Sequence, residues 1–118
     1  MPEFAYDRRD LDFVLYEHLG LDKLSEYPKY AEYGREVYDA VVDQAAKLAK
    51  EVLFPLNQVG DRQGCRWSPE GVKVPEDFVD AFPALSKDGW IALSADPQHG
   101  GQGLPHTLGA AVMELHSG

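Results

Sequence analysis

The sequence predicts an all-α fold, and two stretches carry that prediction. In residues 35–56, apolar side chains recur every three or four positions, which is the spacing of one helix face. In residues 105–117, Pro105 stands where a helix favours proline, and an apolar stripe follows at Leu108, Val112 and Leu115. The chain has 118 residues, enough for one ordinary domain. The expected order is a short first helix, one long amphipathic helix, a kinked third helix and a truncated last helix.

Residues 4–24 predict the short first helix with its flanks. Asp10 is the expected N-cap, and Gly20 is the expected stop. One side of this helix carries an apolar stripe of Leu11, Val14, Leu15, His18 and Leu19. Residues 25–34 then hold a proline, a glycine and three tyrosines, which indicates a linker whose rings pack on the neighbouring helices. An aromatic box for a ligand is the alternative interpretation of these tyrosines.

The long helix over residues 35–56 would span about 30 Å. Pro55 is expected to bend or end it. Glu36 and Asp39 are candidates for acid–base chemistry, but a solvated polar face explains them better. The expected apolar face consists of Val37, Val41, Ala45, Leu48, Ala49, Val52 and Leu56.

Residues 57–74 read as an irregular segment containing a turn. The turn covers residues 68–71, and it would let Trp67 face residues 72–74 as a small extended pair. Residues 75–88 predict the next helix, with Pro75 at its first position. Pro83 predicts a kink or two short helices, and Gly89 predicts the cap. The apolar stripe of this helix is Phe78, Phe82 and Leu85.

Residues 89–117 contain the densest glycine turn of the chain. Trp90 opens an apolar segment, and Gly100, Gly101 and Gly103 lie just before the last helix. Such spacing indicates backbone angles or close approaches that side chains would forbid. A phosphate cradle is the alternative, but the turn lacks the Lys-Ser/Thr ending of a nucleotide loop.

Composition and residue chemistry exclude several classes of function. The net charge of −9 argues against nucleic-acid and anionic-membrane partners. The single cysteine, Cys65, fits a reducing cytoplasm, and no apolar run reaches the length of a membrane span or forms a signal peptide. His99, His106 and His116 match no metal-ligand spacing. We therefore expect no catalytic, cofactor-binding or metal residues here, and a structural turn motif at Trp90, Gly100, Gly101 and Gly103.

Three groups of residues resemble the N-terminal part of acyl-CoA dehydrogenases. The first resembles the extension of a longer bacterial subgroup of that family: Arg9-Asp10, Phe13-Val14-Leu15 and Glu17. The second resembles the end of a family helix and the turn after it: Leu56-Asn57, Gly60-Asp61, Gly64 and Gly71-Val72. The third resembles the glycine turn and its helix: Gly89-Trp90, Gly100-Gly101-Gln102-Gly103 and Glu114-Leu115. The family usually has tyrosine before the glycine pair, where this chain has His99.

The resemblance implies a division into an N-terminal extension, residues 1–34, and a truncated N-terminal helical domain, residues 35–118. It implies a parent enzyme that uses FAD to dehydrogenate an acyl-CoA thioester between Cα and Cβ, with an electron-transfer acceptor. That parent would be a cytoplasmic homo-oligomer in fatty-acid or related acyl metabolism. The resemblance places the catalytic glutamate and the flavin-binding segments in parts of the family beyond this chain, so the fragment alone is expected to be inactive and to bind no FAD. The alternative is a stand-alone helical interaction module without catalysis.

Overall fold

A computed structural model describes residues 4–117 of the chain, and helices dominate it. The five α-helices are α1 (Arg8–Asp12), α2 (Arg35–Leu48), α3 (Phe54–Gln63), α4 (Phe78–Lys87) and α5 (His106–Ser117). Two short antiparallel strands, β1 (Arg66–Ser68) and β2 (Gly71–Lys73), form a hairpin. The predicted all-α class is therefore confirmed.

The first helix begins earlier than predicted. Asp7, not Asp10, is the N-cap, and its carboxylate accepts hydrogen bonds from the amides of Arg9 and Asp10. After α1 the chain continues as a π-helix over Phe13–His18 and ends at Gly20, whose φ of 64° makes the left-handed turn that was predicted there. The wider π-turn moves the stripe, so Leu15 and Tyr16 are buried while Val14 and Leu19 are exposed.

A 3-10 segment over Leu21–Glu26 leads into the linker of residues 25–34, and a second one covers Pro28–Tyr30 within it. Its three rings do not all pack as predicted, because the side chains of Tyr27 and Tyr33 are exposed. Tyr30 is half-buried, and the Lys29 ammonium lies 5.5 Å from its ring centroid.

The long helix was predicted to end at residue 56, but the helical structure continues past Pro55 to Gln63. Residues 57–63 are therefore helical and not irregular as predicted. A π-turn at Ala49–Leu53 joins α2 to α3, and the Phe54 amide donates to the Ala49 carbonyl five residues back. This wider turn accommodates Pro55 in the first turn of α3, where a missing amide hydrogen costs little.

The Trp67–Val72 pair of the hairpin is confirmed.

The helix α4 begins at Phe78 rather than Pro75, because residues 75–77 form a turn in which the Phe78 amide donates to the Pro75 carbonyl. It is one helix through Pro83, not two. Its end is closed as predicted: Gly89 has a φ of 82°, and the Trp90 amide donates to the Leu85 carbonyl over 3.2 Å.

The core lies mainly between α2 and α5, with the N-terminal segment packed onto it. The predicted face of this helix is confirmed at Ala45 and Ala49, but in the first two turns of α2 it is Tyr38 and Val42, not Val37 and Val41, that are fully buried. Val37 and Val41 pack at the edge of the core. The predicted stripe of α5 is confirmed, since Leu108, Val112 and Leu115 are buried. The buried cluster comprises Leu15, Tyr16, Leu21, Tyr38, Val42, Ala45, Ala46, Leu93, Leu104, Leu108, Ala111, Val112 and Leu115.

Candidate functional site

The glycine turn is fixed to the segment before it by a ladder of backbone hydrogen bonds. The Gln102 amide donates to the Ala92 carbonyl over 3.1 Å, and the Gly103 amide donates to the Ala95 carbonyl over 2.9 Å. The Leu104 amide completes the ladder at the Leu93 carbonyl, over 3.1 Å. The side chain of Leu104 then enters the core, so the turn delivers the chain to α5.

Two glycines of the turn have different reasons to be glycine. Gly100 has a φ of 85°, a conformation that L side chains rarely adopt, although the space around it is open. Gly101 has an ordinary φ, but a Cβ there would lie 2.1 Å from the Ala95 carbonyl oxygen. The close approach of two backbone segments therefore accounts for Gly101. The assignment of these residues to a structural motif stays a prediction that substitution can test.

The same hydrogen bonds argue against the phosphate cradle. An anion-binding turn presents free amide hydrogens to the ligand. The amides of Gly101, Gln102, Gly103 and Leu104 all donate to backbone carbonyls instead, and Pro105 has no amide hydrogen.

Beside the turn lies an open groove of about 620 Å³. It is lined by residues of α5, by residues of the segment 90–94, and by Leu53 and Leu85. Its surface is mostly apolar and includes the exposed side chains of Ile91 and Met113. The polar groups that line it are Ser94, His106, His116 and Ser117.

His116 lines this groove with an imidazole ring that is partly buried. Its ring meets Trp90 edge-on, with centroids 5.3 Å apart and an angle of 77°. Burial lowers the pKa of His116, and the Ala45 backbone opposes that effect only in part, so the imidazole is neutral near pH 7. Its buried Nε2 atom has no hydrogen-bond partner within residues 4–117.

The other candidate residues do not assemble into a reactive site. His99 and Cys65 are both exposed and lie outside the groove. In the part of the chain that the structure describes, no group of three or more His, Cys, Asp or Glu side chains could hold a metal ion. Over the same residues, no helix combines the length and the apolar character needed to cross a membrane.

Asp39 has a structural environment that sequence reasoning missed. Its carboxylate accepts a 2.7 Å hydrogen bond from the Tyr16 hydroxyl and lies 3.5 Å from Arg8 and 3.6 Å from Arg35. The Arg35 guanidinium also sits 3.9 Å from the centroid of the Tyr16 ring. The sequence suggested either an acid–base candidate or a residue of a solvated polar face. Because of these contacts, the Asp39 carboxylate is neither a free base nor fully solvated. The sequence hints at this arrangement only through its aspartates, which are frequent beside Arg8 on the first predicted helix and occur again on the long helix.

Arg8 connects the N-terminal segment to α2 through the same group. Its guanidinium bonds Asp12 over 2.9 Å on its own helix and also contacts Asp43 on α2. Hydrogen bonds to these carboxylates outweigh desolvation and raise the pKa of Arg8, so its charge is permanent. The cluster of Arg8, Asp12, Tyr16, Arg35, Asp39 and Asp43 is a docking contact between two segments of the chain.

Comparison with known proteins gives one consistent result. The chain is 32% identical over 113 residues to a 3-methylmercaptopropionyl-CoA dehydrogenase of Ruegeria pomeroyi, a match that covers 91% of this chain. It is 29% identical to a butyryl-CoA dehydrogenase of Syntrophomonas wolfei and 26% identical to a broad-specificity linear acyl-CoA dehydrogenase of Mycobacterium tuberculosis. Each of these two matches covers 98% of the chain. No protein-family model matches the sequence.

The matches are nearly complete for this chain and partial for the relatives. The chain spans only 18–19% of the length of those three enzymes. The resemblance that the Gly89-Trp90 and glycine-turn motifs carry is thus confirmed. By its sequence, this chain is similar to acyl-CoA dehydrogenases, and it matches a fragment of those larger enzymes.

Proposed function

We propose that this chain is the N-terminal region of a FAD-dependent acyl-CoA dehydrogenase. Residues 1–34 would be the extension of the longer bacterial subgroup, and residues 35–118 would be the first helical domain. The observation that carries the proposal is the match of 91–98% of the chain to less than a fifth of several such enzymes.

The dimensions of the chain support a role as part of a larger body. Its Cα radius of gyration is 16.7 Å, whereas a compact domain of 118 residues would have roughly 13–14 Å. The extents of 55 × 36 × 17 Å describe a flat object. A flat layer of helices has two large faces, and a neighbouring layer can cover the apolar groove beside α5.

The described residues do not by themselves fit FAD, so we derive no step through it. The flavin diphosphate needs amide donors or cationic side chains, but four amides of the glycine turn are used internally and no Lys or Arg lines the groove. FAD would supply hydride acceptance in the parent enzyme. The helices of this chain would contribute an apolar wall that keeps water from the substrate.

The parent would act on an acyl-CoA thioester and pass electrons to a separate acceptor. We propose further that it is a cytoplasmic homo-oligomer, with the base and the flavin-binding segments in polypeptide beyond these residues. The continuation of the reading frame after Gly118 tests this arrangement directly. A downstream β-rich domain would support it, and an immediate natural stop codon would favour the stand-alone interaction module.

A chimera tests the function itself. Residues 1–118 replace the matching segment of the Ruegeria pomeroyi enzyme, and flavin absorbance and dye-coupled oxidation of 3-methylmercaptopropionyl-CoA are measured. We expect a flavin-loaded, active chimera, because the segment would complete the same helical layer. The matched control carries Leu108→Asp, which buries a carboxylate in the core and should abolish both signals. A chimera that is folded but has neither flavin nor activity would contradict the proposal.

Titration of the isolated chain with FAD or with butyryl-CoA tests whether these residues form a ligand site by themselves. We expect neither FAD nor butyryl-CoA to bind at micromolar concentration in calorimetry. Binding of either ligand would show that the fragment holds a site of its own, which is not expected of a helical wall.

A further inference from the structure

The hairpin and α4 carry several uncovered apolar side chains. Trp67 and Val72 are paired across the two strands, and they are 77% and 66% exposed. Exposed Val74 follows the second strand, and exposed Val79 and Phe82 lie three residues apart on one side of α4. Exposed apolar side chains that are bordered by charged ones indicate an interaction surface. We call it the hairpin–α4 surface, and it consists of Arg66, Trp67, Val72, Lys73, Val74, Glu76, Val79, Asp80 and Phe82.

The charges of this surface are divided by sign between its two parts. Arg66 and Lys73 lie directly opposite each other in the hairpin, and like charges in that position destabilise a strand pair. The carboxylates are Glu76, in the turn before α4, and Asp80, in the first turn of α4. All four side chains are exposed, and none of them forms an ion pair within residues 4–117. The cations of the hairpin therefore have no carboxylate partner in the described part of their own chain.

The chain has enough surplus surface for a contact with another protein. Its accessible surface is 8505 Å², whereas a compact monomer of the same mass exposes about 6,400 Å². A standard protein–protein interface covers about 800 Å² of each partner, which is less than half of this difference. A contact of standard size would therefore cover only surface that a compact monomer does not expose.

We propose that the hairpin–α4 surface binds the same surface of a second copy of this chain. In such a two-fold contact, every pair of contacting residues occurs twice. The cationic hairpin of each copy would meet the acidic start of α4 in the other copy, and Trp67 would be the apolar anchor. A second copy is the partner that fits, because this one surface carries both signs of charge and is therefore complementary to itself.

The contact is weak, because the net charge of −9 on each copy opposes association. We expect a dissociation constant on the order of 100 µM. At a few micromolar the chain is then a monomer, and unfolding measured there reports the stability of the fold alone. The inference concerns only this chain and does not depend on the proposed enzyme, which the flavin content and activity of the chimera test separately.

Charge reversal tests the contact in sedimentation velocity experiments from about 10 to 500 µM protein. The hairpin variant is Arg66→Glu/Lys73→Glu, and the α4 variant is Glu76→Lys/Asp80→Lys. Each variant brings like charges together at both contacts, so its dissociation constant should rise at least about tenfold. The matched control is Lys47→Glu/Lys50→Glu, which changes the net charge as much as the hairpin variant does, at exposed positions outside the surface. Its dissociation constant should rise less than about threefold.

An equimolar mixture of the hairpin variant and the α4 variant tests whether the two parts of the surface meet each other. Opposite charges face each other again at both contacts, although both variants remain acidic overall, so we expect a 1:1 complex with the affinity of the native chain. Circular dichroism first establishes that each variant is folded, and the single substitutions Lys73→Glu and Asp80→Lys replace a double variant that is not. The proposal is overturned by a native chain that stays monomeric throughout, by a control that weakens as much as the hairpin variant, or by a mixture that does not associate.

Discussion

The N-terminal segment and the hairpin–α4 region are both amphipathic in sequence, yet they behave differently in the structure. In residues 8–26, Leu15, Tyr16 and Leu21 enter the main core, and Arg8 adds polar contacts to α2. In residues 66–87, only Pro75 and Ala81 are buried, while Trp67 is 77% exposed.

The difference lies in available partners rather than in hydrophobicity. The N-terminal segment packs into the core between α2 and α5, whereas α4 contributes no residue to that core cluster and places its Phe78 ring against Gly60 of α3. A Cβ on Gly60 would come within 2.7 Å of that ring, so even this contact depends on a glycine. Exposed Val72, Val79 and Phe82 are what a layer of a larger protein would present to the next layer.

The largest expected effect tests this contrast with one truncation in each region. Leu15→Ala removes a side chain that is 2% exposed, so it should lower the free energy of unfolding by about 2–5 kcal/mol. Phe82→Ala removes a larger side chain that is 64% exposed, and it should change that free energy by less than about 0.5 kcal/mol. Urea unfolding followed by circular dichroism measures both. Equal losses would mean that α4 packs in solution against a part of this chain.

The glycine turn lies between the exposed hairpin–α4 region and the core helix α5. Gly101→Ala should disrupt the packing of this turn and destabilise the fold. The new Cβ would collide with the Ala95 backbone, so we expect a loss of about 1–3 kcal/mol in thermal or urea unfolding. Gly109→Ala is the matched control inside α5, where the added Cβ would lie 3.5 Å from Ser94 Oγ in ordinary contact. That variant should gain about 0.5–1 kcal/mol from helix propensity. If Gly101→Ala left the free energy of unfolding unchanged, the close approach of the Ala95 backbone would not explain the glycine at this position.

Helix periodicity correctly predicted the elements whose partners are within the chain. The stripe of α5 and the caps at Gly20 and Gly89 follow from local chemistry, and each of them is present. The continuation through Pro55 could not be predicted, because it depends on a π-turn that no residue pattern indicates. Periodicity also does not distinguish a stripe that is covered from one that is not, which is why Phe82 was expected to be buried.

The candidate site was less predictable than the fold. The motif around the glycine turn carried the resemblance to acyl-CoA dehydrogenases, yet nothing local indicated that Tyr38 would be fully buried or that Asp39 would accept a hydrogen bond from Tyr16. The hydrogen bond joins residues of two separate helices, so no local pattern indicates it. The burial of Tyr38 could not be predicted because tyrosine is intermediate in its preference for burial. The sequence pattern therefore placed the core of the first two turns of α2 at Val37 and Val41, one residue before the fully buried Tyr38 and Val42.

The smallest expected effect concerns the polar contact that secures the N-terminal segment. Tyr16→Phe removes the hydrogen bond to Asp39, which is partly exposed, so the free energy of unfolding should fall by about 1 kcal/mol at pH 7. Burial, followed by the hydrogen bond to Asp39, raises the pKa of Tyr16. The folded chain then holds that proton more tightly than the unfolded chain does, and the stabilisation is complete below about pH 10 and is lost as the pH rises further.

Unfolding measured from pH 9 to pH 11 should therefore show a shallower decline in Tyr16→Phe than in the native chain. Exposed Tyr27 has no comparable contact, so Tyr27→Phe should retain the native slope. Equal slopes in all three proteins would mean that Asp39 does not hold the Tyr16 hydroxyl in solution. The N-terminal segment would then be held by the buried side chains of its core residues and by the Arg8 contacts to α2, without a contribution from the Tyr16 hydroxyl.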